Sequence, residues 1–149
     1  MKQTLTPNQG QQAAIDNFFR FMISPSKYMH LRGPAGVGKT FVMKLLANQG
    51  MKEYEEGCKL AGLEQTVKDV VFTATTNKAA EVLSQAIHKP AQTIHSHLCL
   101  KVYENHNTGE TTLEKRPDYY IHQNELVFID ECSMIDSKLW NIIKTSFLN

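Results

Sequence analysis

Eight residues, Gly33-Pro34-Ala35-Gly36-Val37-Gly38-Lys39-Thr40, constrain this chain more than any other stretch. They fit G-x-x-x-x-G-K-[ST], the phosphate-binding P-loop, whose setting is strand, glycine loop, helix. Both flanks read that way. Tyr28-Met29-His30-Leu31 is a short apolar run expected to form a strand, and Phe41-Val42-Met43-Lys44-Leu45-Leu46-Ala47 is expected to be a helix that stops near Gly50. A triphosphate needs backbone N–H groups turned inward around it. Gly33, Gly36 and Gly38 leave the backbone free to approach, with Pro34, Ala35 and Val37 completing the loop. The helix that follows turns its unpaired N–H groups and positive dipole end toward the phosphates. Lys39 is expected to reach the β- and γ-phosphates, and the Thr40 hydroxyl to take a place on Mg²⁺, so ATP and Mg²⁺ are the implied cofactors. An ordinary glycine turn ahead of a helix is the competing reading, and an eight-residue match in this setting outweighs it.

A P-loop alone implies a nucleoside triphosphate and little more. The second half of a hydrolytic site is Leu126-Val127-Phe128-Ile129-Asp130-Glu131, an apolar strand ending in two carboxylates. Asp130 is expected to hold Mg²⁺ through a water, and Glu131 to orient and polarise the attacking water. The alternative for the pair alone is a solvated Asp-Glu at a strand end.

Composition excludes other classes. A chain of 149 residues with 42% hydrophobic content is near the size of one domain and can bury a core. A formal charge of +1 gives no global basic field, which argues against a purely electrostatic nucleic-acid binder but not against local contacts. Cys58, Cys99 and Cys132 are widely spaced with no C-x-x-C, so reduced thiols are expected rather than zinc or disulfides. No signal peptide and no membrane-length apolar run is present, so a cytoplasmic location without membrane contact is expected.

Along the chain, Thr6 and Pro7 open a helix carrying Ala13, Ala14, Phe18, Phe21 and Met22 at helical spacing. Residues 50–68 are polar and read as a short helix or loop. Asp69 to Ala74 reads as a buried parallel strand, Lys78 to Ile87 as a helix, and Thr93 to Leu98 as a short helix. Residues at about 100–115 form a hairpin with a polar tip, Asp118 to Asn124 a loop, and Asp136 caps a last helix from Ser137 to Phe147. The alternation gives an α/β fold with a parallel sheet flanked by helices. His95-x-His97 has a metal-like look, but no third ligand stands at a sensible spacing, so metal is rejected there.

Leu5-Thr6-x-x-Gln9, Gly33 to Thr40, Thr76-Asn77-Lys78-Ala79-Ala80, Thr93-Ile94-His95-Ser96 and Asp130-Glu131-Cys132-Ser133-Met134 follow one another in that order. Together they resemble the opening half of superfamily 1 DNA helicases of the RecD/Dda type, and the Dda-type enzymes of tailed bacteriophages fit best in length and order. The resemblance covers Leu5 to about Leu148. It implies a RecA-like P-loop NTPase domain over residues 1–149, a partial one, with the hairpin standing where the family has its strand-separating pin. It implies a 5′–3′ helicase that moves on single-stranded DNA, in a bacterial host cell if phage-encoded, with replication or recombination proteins as further partners. Gln9 matches the glutamine that reads adenine; a capping box with Thr6 is the other reading. Thr76, Asn77 and Lys78 match a motif on the DNA backbone, and Thr93 and His95 an element near the DNA path, with a plain core or surface histidine as the alternative. Ser133 is either a link between nucleotide and DNA sites or a helix-entry hydroxyl.

The chain departs from the pattern in two ways. Thr75 and Asn77 replace the Pro and Gly of P-T-G-K-A-A. No G-D-x-x-Q follows Glu131, and the family's second RecA-like domain with its arginine is missing, so the sheet is expected to be incomplete and the chain to be a fragment that binds nucleotide weakly and does not unwind DNA. The competing functions are another P-loop NTPase of the AAA+ type, against which Thr93-Ile94-His95 and the hairpin weigh, and a truncated nucleotide-binding regulatory module.

Overall fold

The computed structural model describes residues 9–31 and 38–147. The chain divides into two compact units, Met1–Gln65 and Thr66–Asn149. The expectations placed on Thr6, Pro7 and Gly33 to Val37 lie outside the described residues.

In the first unit, α1 (Gln9–Ile23) buries Ile15 and Phe18. Tyr28 to Leu31 does not form the expected strand. A buried parallel strand is covered on both faces, whereas Tyr28 is 63% and Leu31 36% exposed. From Lys39 the chain is helical without a break: α2 (Lys39–Leu45), a π-helical turn (Leu46–Gly50) and α3 (Met51–Ala61). The helix expected to stop near Gly50 therefore runs on, and it ends at Gly62, whose φ of 67° suits a left-handed helix cap. Gly50 itself is right-handed helical, at φ −59°. Its role is close approach. A Cβ there would stand 2.9 Å from Phe18 Cδ1, and one at Gly57 would stand 2.6 Å from Phe19 Cε2. The two glycines let α1 lie against the long helix. Met51, Tyr54 and Cys58 form its buried face beyond the π turn.

In the second unit, β1 (Asp69–Ala74) lies between β2 (Gln92–Thr93) and β5 (Glu125–Asp130), all parallel. The α/β fold with a parallel sheet and flanking helices is as expected. β1 and β5 run in register from Asp69 beside Glu125 to Ala74 beside Asp130. Phe72 stacks on Phe128 at 5.3 Å, and the buried Thr73 hydroxyl donates to the Phe128 carbonyl at 2.8 Å. Among the described residues β5 pairs on one flank only, in keeping with an incomplete sheet. Helices α4 (Asn77–Ile87) and α5 (Ile94–His97) follow β1 and β2, and α6 (Ser137–Thr145) comes after a 3-10 turn (Cys132–Met134). Ile94, Leu98, Leu100, Leu139 and Ile143 form the core beneath them. The hairpin is present: β3 (Leu100–Glu104) pairs antiparallel with β4 (Thr111–Lys115). Its tip is turned by Asn105, whose side chain accepts from Asn107 N at 2.9 Å, and Gly109 at φ 70°.

Candidate functional site

Gly38 enters α2 at φ 74° and ψ 42°, a left-handed conformation that costs a residue with a Cβ about 1–2 kcal/mol. No side chain caps this helix. The first amide groups of a helix have no partner within it, so Gly38, Lys39 and Thr40 present open donors and a positive dipole end. A helix start of this kind is suited to an anion such as phosphate. Lys39 is exposed and Thr40 half-buried in the first turn. A wider hollow of about 510 Å³, lined by Phe41, Lys44, Leu45, Asn48, Gln49 and Lys52, includes neither of them. It is a surface groove on the helix with no paired chemistry. Gln9 is exposed as the first residue of α1.

In the second unit, β5 delivers Asp130 half-buried at its end and Glu131 exposed just beyond it. Glu131 is left-handed, at φ 57° and ψ 40°. For a non-glycine residue this is strained backbone of the kind that clusters at functional sites. It is held from both sides: Glu131 N donates to Asp130 Oδ1 at 3.0 Å, and the Thr75 hydroxyl donates to the Glu131 carbonyl at 3.2 Å. The abrupt turn sends the Glu131 side chain out of the strand's alternation. Sequence reading did not foresee the strain, because left-handed glutamates leave no signature in a single sequence.

Two of the five residues matched to DNA motifs, Thr76 and His95, share one cleft. Thr75, Thr76 and His95 line a cleft of about 160 Å³ with Val102, Thr111 and Leu113 of the hairpin and Met134, Asp136, Lys138 and Leu139. Asn77 and Lys78 lie exposed in the first turn of α4. Thr76 Oγ1 accepts from Ala79 N at 3.1 Å, and Thr93 Oγ1 from Ser96 N at 3.1 Å. Both threonines are helix caps first, and each retains its hydroxyl proton as a donor. Asn77, Lys78 and Thr93 do not line the cleft. Burial lowers the His95 pKa, opposed by the Asp136 carboxylate, so at neutral pH the ring offers a hydrogen bond or a stacking face rather than charge. Asp136 caps α6 through Leu139 N at 2.8 Å. Asp136, Met134 and Lys138 were not singled out for this cleft from the sequence; only their place in its lining beside the hairpin residues marks them. Ser133 is exposed in the 3-10 turn. Among the described residues, no helix is long and apolar enough to cross a membrane.

Comparison with known proteins bears on the family. An AAA domain family profile matches residues 6–146. The match runs through Thr93-Ile94-His95 and the hairpin, so these features do not set the chain apart from a family of that name. The chain is also 27% identical over 137 residues to the ATP-dependent DNA helicase dda of Enterobacteria phage T4, covering 91% of this chain. It spans 28% of that relative's length. The chain belongs to the AAA domain family, as a helicase-like P-loop NTPase domain.

Proposed function

We propose that this chain is the ATP-binding and hydrolysing portion of a 5′–3′ DNA helicase that moves on single-stranded DNA. The observation that carries the nucleotide half is the uncapped helix start at Gly38, followed directly by Lys39 and Thr40. Gly33 to Gly38 would wrap the phosphates, Lys39 would neutralise the β- and γ-oxygens, and Gln9 would read the adenine edge. Thr40 and Asp130 would hold Mg²⁺, which when bound screens the phosphate charge. Glu131 would accept a proton from the attacking water and aim it. The DNA half is supported by the cleft at Thr76 and His95, with Asn77 and Lys78 at the start of α4 and Thr93 capping α5. Backbone and side-chain donors at such helix starts suit a phosphate chain. The RecD/Dda assignment, the polarity and any replication or recombination role rest on the motif order and on the distant similarity to the phage helicase.

The AAA family match bears on one alternative, another P-loop NTPase of the AAA+ type whose hydrolysis is not coupled to DNA. DNA-stimulated ATP hydrolysis separates the two. In the full-length gene product, single-stranded DNA should raise the hydrolysis rate, and Glu131→Gln should keep ATP binding while turnover stops. Hydrolysis indifferent to DNA would favour the alternative, and normal turnover by Glu131→Gln would remove Glu131 from catalysis.

A further inference from the structure

Three titratable side chains meet inside the second unit and belong to none of the motifs above. His97 ends α5, His122 stands in the segment ahead of β5, and Glu125 opens β5. Their side chains are 8%, 0% and 15% exposed. Glu125 Oε2 lies 2.9 Å from His97 Nε2 and 3.0 Å from His122 Nδ1. The carboxylate has two oxygens, yet one of them takes both imidazoles, so donor atoms from three segments converge within 4.8 Å. The backbone holds them there. Asn124 is left-handed at φ 59°, and His122 N donates to the Ser146 carbonyl at 2.8 Å. The rings of Tyr120 and Phe147 flank His122 at 4.2 and 5.5 Å.

We propose that His97 Nε2, His122 Nδ1 and Glu125 Oε2 form a binding site for a divalent transition-metal ion of the Zn²⁺ type, one that ties α5 to the start of β5. Two imidazoles with one carboxylate suit Zn²⁺ or Co²⁺ and do not suit Mg²⁺, which takes oxygen ligands. Around a tetrahedral ion with bonds of about 2.0–2.1 Å, neighbouring donor atoms stand about 3.3 Å apart. The present 2.9 and 3.0 Å contacts reach that spacing by opening a few tenths of an ångström, and the two imidazole nitrogens, within 4.8 Å of each other, come to it as the rings turn toward the ion. A ligating histidine also rests its second ring nitrogen on an outer partner. Gln92 fills that position, with its Nε2 3.1 Å from His97 Nδ1 and its Oε1 3.3 Å from Ser96 Oγ. With the ion absent, the amide donates to Nδ1 and His97 Nε2 carries the proton given to Glu125. With the ion on Nε2, the proton moves to Nδ1. A half-turn of the amide then presents Oε1 to that proton and Nε2 to the serine, so every bond keeps a counterpart. The His122 proton moves to its Nε2, which has no hydrogen-bond partner. That is a cost the three metal bonds must exceed. Sequence spacing hid the site, because the partners of His97 lie in a different segment, around β5.

The test uses the tag-free chain, stripped with EDTA and titrated with Co²⁺ as a visible-absorption probe. A d–d band that saturates at one equivalent and is bleached by Zn²⁺ is expected, with a higher thermal midpoint in Zn²⁺ than in EDTA. Glu125→Gln keeps the shape and an oxygen that accepts an imidazole N–H, so it should fold while losing Co²⁺ affinity by at least about tenfold, and Gln92→Ala by roughly tenfold. Absence of the band, or equal binding by Glu125→Gln, overturns the site and leaves the triad a hydrogen-bonded strut. Neither readout involves ATP, so both stand apart from the nucleotide reading.

Discussion

Four helix starts divide into two kinds. α4, α5 and α6 each begin behind a residue whose side-chain oxygen accepts an amide three residues on: Thr76 to Ala79, Thr93 to Ser96, and Asp136 to Leu139. α2 begins behind left-handed Gly38 with no side-chain cap. The capped starts close the orphan donors within the fold. The glycine start has no side-chain cap and forgoes the stabilisation of about 1 kcal/mol that one supplies.

Substitutions can break or sharpen this contrast. Lys39→Ala should have the largest effect, lowering ATP turnover of the full-length gene product by about 10²–10³ or more, as loss of a group that stabilises developing charge does. Measured turnover unchanged from the parent would mean that the open helix start is not the phosphate site. Gly38→Ala should come next: the left-handed φ of 74° would cost about 1–2 kcal/mol of stability and perturb nucleotide binding together, seen by urea unfolding and by titration of a fluorescent nucleotide. Asp136→Ala and Thr76→Ala should each cost about 1 kcal/mol in the second unit, with serine restoring most of it at position 76 and nucleotide affinity unmoved. An affinity change from either would blur the two kinds of helix start.

The smallest effect concerns pH. Burial holds the folded His95 pKa below its ordinary 6.5, so the unfolded chain binds that proton more readily. The associated stability is present above that ordinary value and is lost as pH falls through the folded value. His95→Gln should therefore flatten the dependence of unfolding on pH below neutrality. A slope identical to that of the parent would show that the ring is not desolvated in the cleft.

Elements carried by apolar pattern and local caps were legible in advance. β1, β5, α4, the hairpin and α6 stand where periodicity and the Asp136 cap put them. What pattern could not reveal depended on partners distant in sequence. Tyr28 to Leu31 is apolar enough for a strand, yet a strand needs a neighbour to pair with. Gly50 looked like a helix end because glycine usually ends helices, but Phe18, 32 positions earlier, requires that space. His122 read as an unremarked loop residue until the fold set it beside His97 and Glu125. The carboxylate pair was legible, and the strained backbone that presents Glu131 was not.

The glycines under α1 bear on how tolerance to variation in this chain should be interpreted. Position 50 faces Phe18, which is 2% exposed and has nowhere to go, so even alanine there would cost about 1–3 kcal/mol through overpacking. Position 57 faces the partly exposed Phe19, whose ring tip can swing aside, and alanine would regain up to about 1 kcal/mol of helix propensity. A survey of natural or random variants would then find position 50 as intolerant as a catalytic residue and position 57 permissive. Intolerance at the first would report the fit of two helices rather than any chemistry, so a map of essential positions drawn from such a survey would enlarge the apparent active site by a residue that never meets the nucleotide.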